Sequence, residues 1–186
     1  MDDQDKAALC ALADRAEIAE VIMRYCRAID RGDEALLRTC FHEGATHQHG
    51  GFSGLSSDFC AHAMAVVAAV ELTHHQLGQI SIDLDGDVAH AETYFTSYHR
   101  FGADPPPGGR PHEDRIVGGR YLDRLERRAG VWRIAHRHGM CEWRRYEAAA
   151  DRGFFDEPAD WRGRRDKGDA VYQSLLPLRE KEGPAA

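Results

Sequence analysis

The spacing of apolar residues changes along the chain, and this change constrains the fold more than any other feature of the sequence. Residues 6–29 carry apolar side chains at steps of three and four without a proline or glycine, which predicts a long amphipathic helix. The same period returns over residues 34–41 and 58–71, so we expect two further helices. Beyond this point the period falls to two, which is typical of half-buried β-strands.

The second half of the chain predicts a sheet. Residues 42–54 are rich in glycine and histidine and carry no assigned helix or strand. Helices followed by antiparallel strands indicate an α+β fold, in which one curved sheet, mixed but mostly antiparallel, wraps around three N-terminal helices. The expected strands cover residues 80–84, 88–101, 115–126 and 131–143.

Length and composition are those of one domain with a distinct C-terminal tail. The chain has 186 residues, of which 42% are hydrophobic and 30% charged, enough to bury a core. Residues 1–146 hold all the predicted elements and are expected to form the domain. Residues 147–186 are dense in charge and broken by glycine and proline, yet carry aromatic side chains. Such a tail is expected to pack on the domain or on a neighbouring subunit.

Charge and cysteine usage argue against several classes of protein. The chain has 24 basic and 31 acidic residues, and its formal net charge of -7 gives no overall positive field for a nucleic acid. The longest apolar run, residues 63–70, is too short to span a membrane. The acidic N-terminus differs from a secretory signal peptide, and five cysteines without a Cys-x-x-Cys pair are typical of reduced thiols. We therefore expect a cytoplasmic protein.

A carboxylate ends the apolar stripe of the first predicted helix. With Leu12 as the reference direction at 100° per residue, Ala19, Met23, Cys26 and Asp30 all lie within about 40° of it. Burial of a carboxylate without a partner is unfavourable. Asp30 is therefore expected either to lie in water at a frayed helix end or to have a cationic or hydrogen-bonding partner.

The adjacent histidines His74 and His75 offer such a partner. They lie where the third helix gives way to the first strand. Imidazole titrates near neutrality, and a carboxylate on one ring nitrogen makes the other a better oriented proton acceptor. Asp30 with one of these two histidines is therefore a candidate general base, although a given histidine is more often a surface or core residue than a catalytic one.

Arg137 and Tyr25 are two further candidates. Arg137 shares a predicted strand face with small or apolar residues, which leaves room for a ligand. An arginine in that place would hold an anion or stabilise charge on an enolate or leaving group. A structural ion pair with a carboxylate is the equally weighted alternative. Tyr25 lies five residues before Asp30 and could donate a hydrogen bond from a cavity wall, although a buried tyrosine more often contributes packing.

Two His-x-His patterns raise the alternative of a metal enzyme. His47 with His49, and His136 with His138, each place two imidazoles on one face of a strand, a spacing that metal ligands use. No clear carboxylate or cysteine completes either pair in the sequence, and a solvated strand face gives the same pattern. We therefore expect no metal, and metal chemistry ranks third among the functional hypotheses.

Three segments together resemble a known superfamily. The residues IAEVIMRYCRAIDRGD (18–33), THHQLGQISIDLDGDVAHA (73–91) and GVWRIAHRHGMCEW (130–143) are similar to the SnoaL-like branch of the nuclear transport factor 2-like superfamily. The resemblance spans roughly residues 7–146 and implies a cone-shaped α+β barrel whose helices close the mouth of a curved sheet. The superfamily includes enzymes, binding proteins and noncatalytic subunits, so the resemblance is more specific for the fold than for a reaction.

Within this superfamily the sequence looks most like the scytalone dehydratase, bile-acid 7-alpha-dehydratase and hexachlorocyclohexane dehydrochlorinase group, whose members eliminate water or halide. The resemblance places the tyrosine and the aspartate of that group on Tyr25 and Asp30, its basic histidine on His75, and its arginine on Arg137. Gln79 stands where the group often has asparagine, four residues after the histidine. The neighbouring histidine therefore stays an alternative base.

The resemblance implies a cofactor-independent lyase. His75 would remove a proton from a carbon next to an activating group, and Arg137 and Tyr25 would stabilise the resulting charge or assist departure of hydroxide or halide. Retro-aldol cleavage uses the same proton chemistry. The aromatic residues of the strands predict a hydrophobic small-molecule substrate, aromatic or polycyclic. The residues expected to bind it are Tyr94, Tyr98, Trp143 and Gln79.

Two further expectations concern partners and the competing function. We expect a homodimer or homotrimer, because the outer face of a curved sheet needs cover and the superfamily usually assembles in that way. The alternative function is a noncatalytic ligand-binding module or subunit resembling a ring-hydroxylating dioxygenase beta subunit. That alternative predicts that Asp30 and His75 do not touch. No cofactor and no nucleic-acid or membrane partner is expected.

Overall fold

The chain folds into N-terminal helices and a six-stranded sheet, in a computed structural model that describes residues 1–105 and 107–173. The three predicted helices are present, and the predicted α+β class is confirmed. The helices are α1 (Asp3–Asp30), α2 (Glu34–Arg38), α3 (Ser56–Ala68) and α4 (Ala170–Gln173). The strands are β1 (Phe41–His49), β2 (Phe52–Leu55), β3 (Leu72–Asp85), β4 (Val88–Arg100), β5 (Glu113–Arg128) and β6 (Val131–Ala148).

The sheet has the order β2-β1-β6-β5-β4-β3. The pairs from β3 to β6 are antiparallel, as is the pair of β1 and β2, whereas β1 and β6 run parallel. The sheet is therefore mixed and mostly antiparallel, as predicted. Within the described residues it stays open, with β2 and β3 at its two edges.

The segment without a predicted element contains β1 and β2. Phe41 begins β1 instead of ending the second helix, because α2 stops at Arg38 and the chain then pairs with β6, Phe41 opposite Ile134. The turn between β1 and β2 holds Gly50 at a φ of +58°, a backbone conformation that glycine adopts without strain. Sequence periodicity missed both strands because glycine and histidine interrupt their apolar alternation.

The N-terminal half of α1 is more exposed than its apolar residues predict. Asp2 caps the helix in a capping box with Asp5, but Leu12, the reference for the predicted stripe, is 62% exposed. Burial starts at Ile18, and the last turns of α1, through Asp30, pack against the sheet. At 28 residues α1 is the longest helix, yet no helix of the described ranges is both long and apolar enough to cross a membrane.

A β-bulge changes which face of β6 points inward. Trp132 and Ile134 are buried, and Arg137 is the next fully buried residue, three positions further on. The register of β5 and β6 shifts between Ile134 and His136, which accounts for the odd step. The strand face predicted by strict alternation was therefore wrong for the start of β6, where Val131 is 46% exposed.

Part of the predicted C-terminal tail packs beside the end of α1. Asp33, in the turn after α1, accepts a hydrogen bond from the Lys167 ammonium at 2.5 Å and one from the Tyr172 hydroxyl at 2.9 Å. These contacts hold the turn that follows Asp30. Residues 174–186 of the predicted tail lie outside the described residues.

Candidate active site

A cavity of about 340 Å³ lies between the helices and the inner face of the sheet. Apolar side chains of α1 and α3, among them Ile29, Phe59 and Val67, form one wall. The sheet forms the other wall and brings polar side chains together from five strands. These polar residues are His49, His75, Ser97, His99, Arg115 and Arg144.

Asp30 and His75 meet at this cavity. His75 Nδ1 lies 2.7 Å from Asp30 Oδ1, and the His75 backbone N–H donates to Asp30 Oδ2 at 2.7 Å. The Thr73 hydroxyl also donates to Oδ1, at 3.3 Å. Asp30 is 7% exposed, so the helix end is buried and partnered, the second of the two arrangements that the sequence allowed.

The contacts of Asp30 keep its carboxyl group ionised. Burial would raise the pKa of Asp30, but hydrogen bonds from the His75 ring and backbone outweigh burial and hold that pKa below its ordinary value. An ionised carboxylate can only accept, so Nδ1 of His75 donates to Asp30 and Nε2 is the ring nitrogen left for a ligand. Within the described residues Nε2 has no hydrogen-bond partner. The ring can therefore accept a proton from a ligand in the cavity.

His74, the alternative base, occupies a different position. Its side chain is exposed, and it does not line the cavity that His75 lines. Alternation along β3 accounts for the difference, because neighbouring residues of a strand point to opposite faces. The geometry therefore favours His75 over His74 as the proton acceptor.

Arg137 does not line the cavity. Its side chain is 0% exposed, and its Nε and Nη2 each donate to a carboxylate oxygen of Asp123 at 2.6 Å. The rings of Tyr25 and Tyr121 flank the guanidinium, with centroids 4.0 and 4.2 Å from Cζ. Arg137 thus forms the structural ion pair that was the alternative to anion binding, and the expected contact of its guanidinium with a ligand is corrected.

Tyr25 lines the cavity but is almost wholly buried. It is 2% exposed and packs edge-on against Tyr121, with ring centroids 5.6 Å apart. Burial raises the pKa of its hydroxyl, so the group stays protonated. Tyr25 therefore separates the Arg137 charge from the cavity.

The four predicted substrate-binding residues lie outside the cavity. Tyr94, Gln79 and Trp143 line a groove on the outer face of the sheet, and the Tyr98 hydroxyl donates to Asp114 at 2.8 Å. The expectation for these four residues is therefore corrected. The reason is strand alternation: β4 carries aromatic side chains on both faces, and its inner face is the one of Phe95.

Sequence reasoning did not place His99 or Arg115 at a site, and it named His49 only as part of a possible metal pair. His99 lies four residues after Phe95 and therefore on the same inner face of β4. Arg115 lies opposite His99 on β5. His49 fits beside Gly139, where a Cβ would come within 2.5 Å of the imidazole Nδ1. The alternation that starts from Phe95 was the available signal for His99, but nothing in the sequence chose that face.

The two His-x-His pairs lie on opposite faces of the sheet. His47 and His49 point inward, and His49 lines the cavity. His136 and His138 line a groove on the outer face. The pairs therefore do not converge on one site. Within the described ranges no three side chains of histidine, cysteine, aspartate or glutamate are grouped as metal ligands would be.

His47 is a packing residue. Its ring stacks on Phe59 with centroids 3.4 Å apart, and it is 1% exposed. Both ring nitrogens are buried without hydrogen-bond partners in the described part of the chain. Burial lowers the pKa of His47 to about 2, so the folded protein holds a neutral imidazole in this place.

The unfolding free energy is expected to fall as the pH drops below about 6.5, the ordinary pKa of histidine. The folded-state pKa of His47 is depressed, so its contribution to stability is complete above that pH and is lost as the pH falls towards the folded value. Below the ordinary pKa, the contribution of such a histidine to the unfolding free energy falls by about 1.4 kcal/mol per pH unit. Between pH 7 and pH 5 the unfolding free energy of the His47→Phe variant should therefore fall by about 2 kcal/mol less than that of the parent protein. Urea denaturation at the two pH values measures the difference.

His90 supplies the control for this measurement. Its side chain is exposed on the outer face of β4, so His90→Gln should keep the pH dependence of the parent protein. A His47→Phe variant with the parent's pH dependence would show that His47 is not the buried neutral group described here.

Comparisons with known proteins agree with this fold. A sequence model of the SnoaL-like domain family matches residues 11–138. Kfla4162 from Kribbella flavida is 24% identical with a TM-score of 0.64, covering 73% of this chain and 95% of that chain. A candidate scytalone dehydratase from Novosphingobium aromaticivorans is 20% identical with a TM-score of 0.62, covering 73% and 88%.

A further solved structure extends the comparison. Hexachlorocyclohexane dehydrochlorinase LinA-type3 from Novosphingobium barchaimii is 16% identical to the chain with a TM-score of 0.68, covering 78% of this chain and 97% of that chain. A search of curated proteins found no match. At these levels of identity the solved structures show a shared fold.

Proposed function

The chain belongs to the SnoaL-like domain family, and from this premise we propose that it is a cofactor-independent lyase. Its substrate is a hydrophobic small molecule, aromatic or polycyclic. The observation that carries the proposal is the 2.7 Å contact between His75 Nδ1 and Asp30 Oδ1 in the wall of a cavity. This contact is the opposite of what a noncatalytic subunit predicts.

The proposed reaction starts with proton transfer to His75. Nε2 accepts a proton from a carbon next to an activating group, and Asp30 stabilises the imidazolium that results. The electron pair left on carbon expels a leaving group from the neighbouring carbon, and a double bond forms between the two carbons. The imidazolium then returns its proton to the leaving group or to water. Water and halide are the leaving groups of this step. In a retro-aldol cleavage Nε2 takes the proton of a β-hydroxyl instead, a carbonyl forms as the carbon–carbon bond breaks, and the released enolate takes the proton back from the imidazolium.

Tyr25 and Arg137 keep roles in this proposal that fit their positions. Tyr25 lies in the cavity wall with a protonated hydroxyl. Its proposed role is to stabilise the negative charge that develops on the substrate. Arg137, locked to Asp123 at 2.6 Å, holds the Tyr25 ring in place through the 4.0 Å cation–π contact. Arg137 is thus proposed as a positioning residue.

Two structural neighbours support elimination as the reaction class. One is named as a dehydrochlorinase and one as a candidate dehydratase. Loss of hydrogen chloride and loss of water both need a base beside an acidic C–H, which is what Nε2 of His75 offers. The names describe those proteins, and for this chain elimination remains our proposal.

A screen in heavy water tests the proposal. Aryl compounds with an acidic C–H and a β-hydroxyl or β-halide group are incubated with the protein, and elimination products and deuterium incorporation are followed by NMR. The parent protein should give product or exchange with at least one compound. Asp30→Asn should slow that reaction, because the His75 ring loses the carboxylate that holds the proton on Nδ1. Asp83→Asn, an exposed carboxylate on the same strand as His75, should keep the parent rate. Exchange that is equally fast in Asp30→Asn would contradict the proposal.

The proposal includes assembly and location. The outer face of the sheet exposes Tyr94 (38%) and Trp143 (46%). We propose that a second or third copy of the chain covers this face. The molar mass of the protein in solution tests this proposal.

The five cysteines are free, which supports the proposed location in the reducing cytoplasm.

A further inference from the structure

The cavity beside His75 carries positive charge and no carboxylate in its wall. Arg115 and Arg144 line it, and among the described residues no aspartate or glutamate does. Asp30 lies behind His75 and is engaged by that residue. A wall with one sign of charge favours a ligand of the other sign. The ligand that this cavity complements is therefore an anion.

Arg115 lines the cavity without a carboxylate partner. Its Nε is enclosed by protein and has no hydrogen-bond partner, and no carboxylate of the described residues forms an ion pair with its guanidinium. The adjacent Asp114 accepts hydrogen bonds from Tyr98 and Arg100. The guanidinium lies over the Phe101 ring, 5.2 Å from its centroid. A buried donor without a partner costs free energy unless a ligand satisfies it.

The other basic residues of the wall supply less charge inside the cavity. Burial lowers the pKa of His49 to about 4 and that of His99 to about 3, so both rings are neutral at pH 7. Arg144 is exposed, and its Nη1 donates to the Tyr146 hydroxyl at 3.4 Å. Unlike these residues, Arg115 is both permanently charged and partly enclosed by the cavity wall.

We propose, on the basis of the lyase function above, that Arg115 binds a carboxylate of the substrate, so that the substrate is a hydrophobic carboxylic acid. A guanidinium presents pairs of N–H donors in one plane, which match the two oxygens of a carboxylate. The Nε atom of Arg115 is enclosed by protein, so the donors left for a ligand are its Nη groups. Phosphate and sulfonate would satisfy the same charge, but the planar carboxylate is the better match to a planar guanidinium.

The register of the sheet separates the two ends of this substrate. Arg115 on β5 lies opposite His99 on β4, whereas His75 on β3 lies opposite Ser97. Neighbouring strands stand about 4.8 Å apart, so the backbones of His75 and Arg115 are at least about 9 Å apart. The bound carboxylate and the carbon that loses its proton therefore face side chains of different strands. The apolar wall of α1 and α3 holds the hydrocarbon between them.

Binding of matched acids and amides tests this inference without any turnover. The probes are benzoate, 2-naphthoate and biphenyl-4-carboxylate, each paired with its neutral carboxamide, in isothermal titration calorimetry at about pH 8.5, above the ordinary pKa of histidine. At least one acid should bind 10- to 100-fold more tightly than its amide, as a charged hydrogen-bonded pair does. Arg115→Gln should abolish that preference and leave binding of the amide unchanged. Arg115→Lys, which keeps the charge but loses the planar pairs of donors, should keep part of it.

Arg124 provides the matched control. It lies on the same strand, pairs with Glu126 and lines the outer groove, so Arg124→Gln removes an equal charge and should keep the parent's preference for the acid. A panel in which no acid binds better than its amide overturns the inference, and so does an undiminished preference in Arg115→Gln. The variant His75→Ala separates the two proposals, because it should lose turnover and keep the preference for the acid.

Discussion

His75→Ala is expected to lower the turnover of an identified substrate by roughly 10²- to 10⁴-fold, the contribution of a general base. The variant removes Nε2, which is the proton acceptor, and leaves the Asp30 carboxylate without the ring that it orients at 2.7 Å. Substrate affinity should change less than the rate, because the apolar wall of the cavity does not depend on the imidazole. Initial rates at saturating substrate measure the effect.

His74→Ala is the matched control for this prediction. It removes the same ring one position earlier, from an exposed side chain outside the cavity. Its rate should stay within about two-fold of the parent, since its ring neither hydrogen-bonds to Asp30 nor lines the cavity. Full turnover in His75→Ala, or a large loss of turnover in His74→Ala, would show that His75 is not the base.

Asp123→Ala is expected to lower the unfolding free energy by about 3–5 kcal/mol. The side chains of Asp123 and Arg137 are both 0% exposed and share two hydrogen bonds of 2.6 Å. Removal of the carboxylate leaves a buried guanidinium without its counter-charge between two tyrosine rings. Desolvation of an unpaired charge costs much more than loss of a surface ion pair. Urea denaturation measures the change.

A double variant distinguishes burial of charge from loss of packing. Asp123→Leu combined with Arg137→Met replaces the pair by apolar side chains of similar size, so most of the stability should return. Lys6→Ala breaks the exposed pair with Asp3 and should leave the denaturation midpoint unchanged. An Asp123→Ala variant with the midpoint of the parent protein would mean that the ion pair contributes nothing to the fold.

Local rules placed Asp30 and His75 in the predicted elements, and the resemblance to the dehydratase group paired them. Helical periodicity put Asp30 on the buried stripe of α1, and the change of period put His75 at the start of a strand beside it. Both rules act over a few residues, so neither needs the tertiary structure. The prediction survived the error at Leu12, which is exposed, because the packed part of the stripe is its C-terminal end.

The errors at Tyr94, Tyr98 and Arg137 have another physical origin. Alternation divides a strand into two faces but does not say which face is inside, and β4 has apolar or aromatic residues on both. Arg137 faces inward as predicted, but Asp123 stands opposite it on β5 and engages its guanidinium in an ion pair. Bulges and the choice of face depend on the neighbouring strands, which a sequence read along one strand does not contain.

The parallel pairing of β1 with β6 dictates when the protein becomes complete during its synthesis. The Thr46 hydroxyl and His136 Nδ1 lie 2.7 Å apart although 90 positions separate them along the chain. Until β6 has left the ribosome, β1 has only β2 as a neighbour, and its other edge is open to wrong partners. Contacts of such long range close late and slowly. A nascent chain that stops before β6 therefore holds both Asp30 and His75 but lacks the strand that joins the two parts of the sheet.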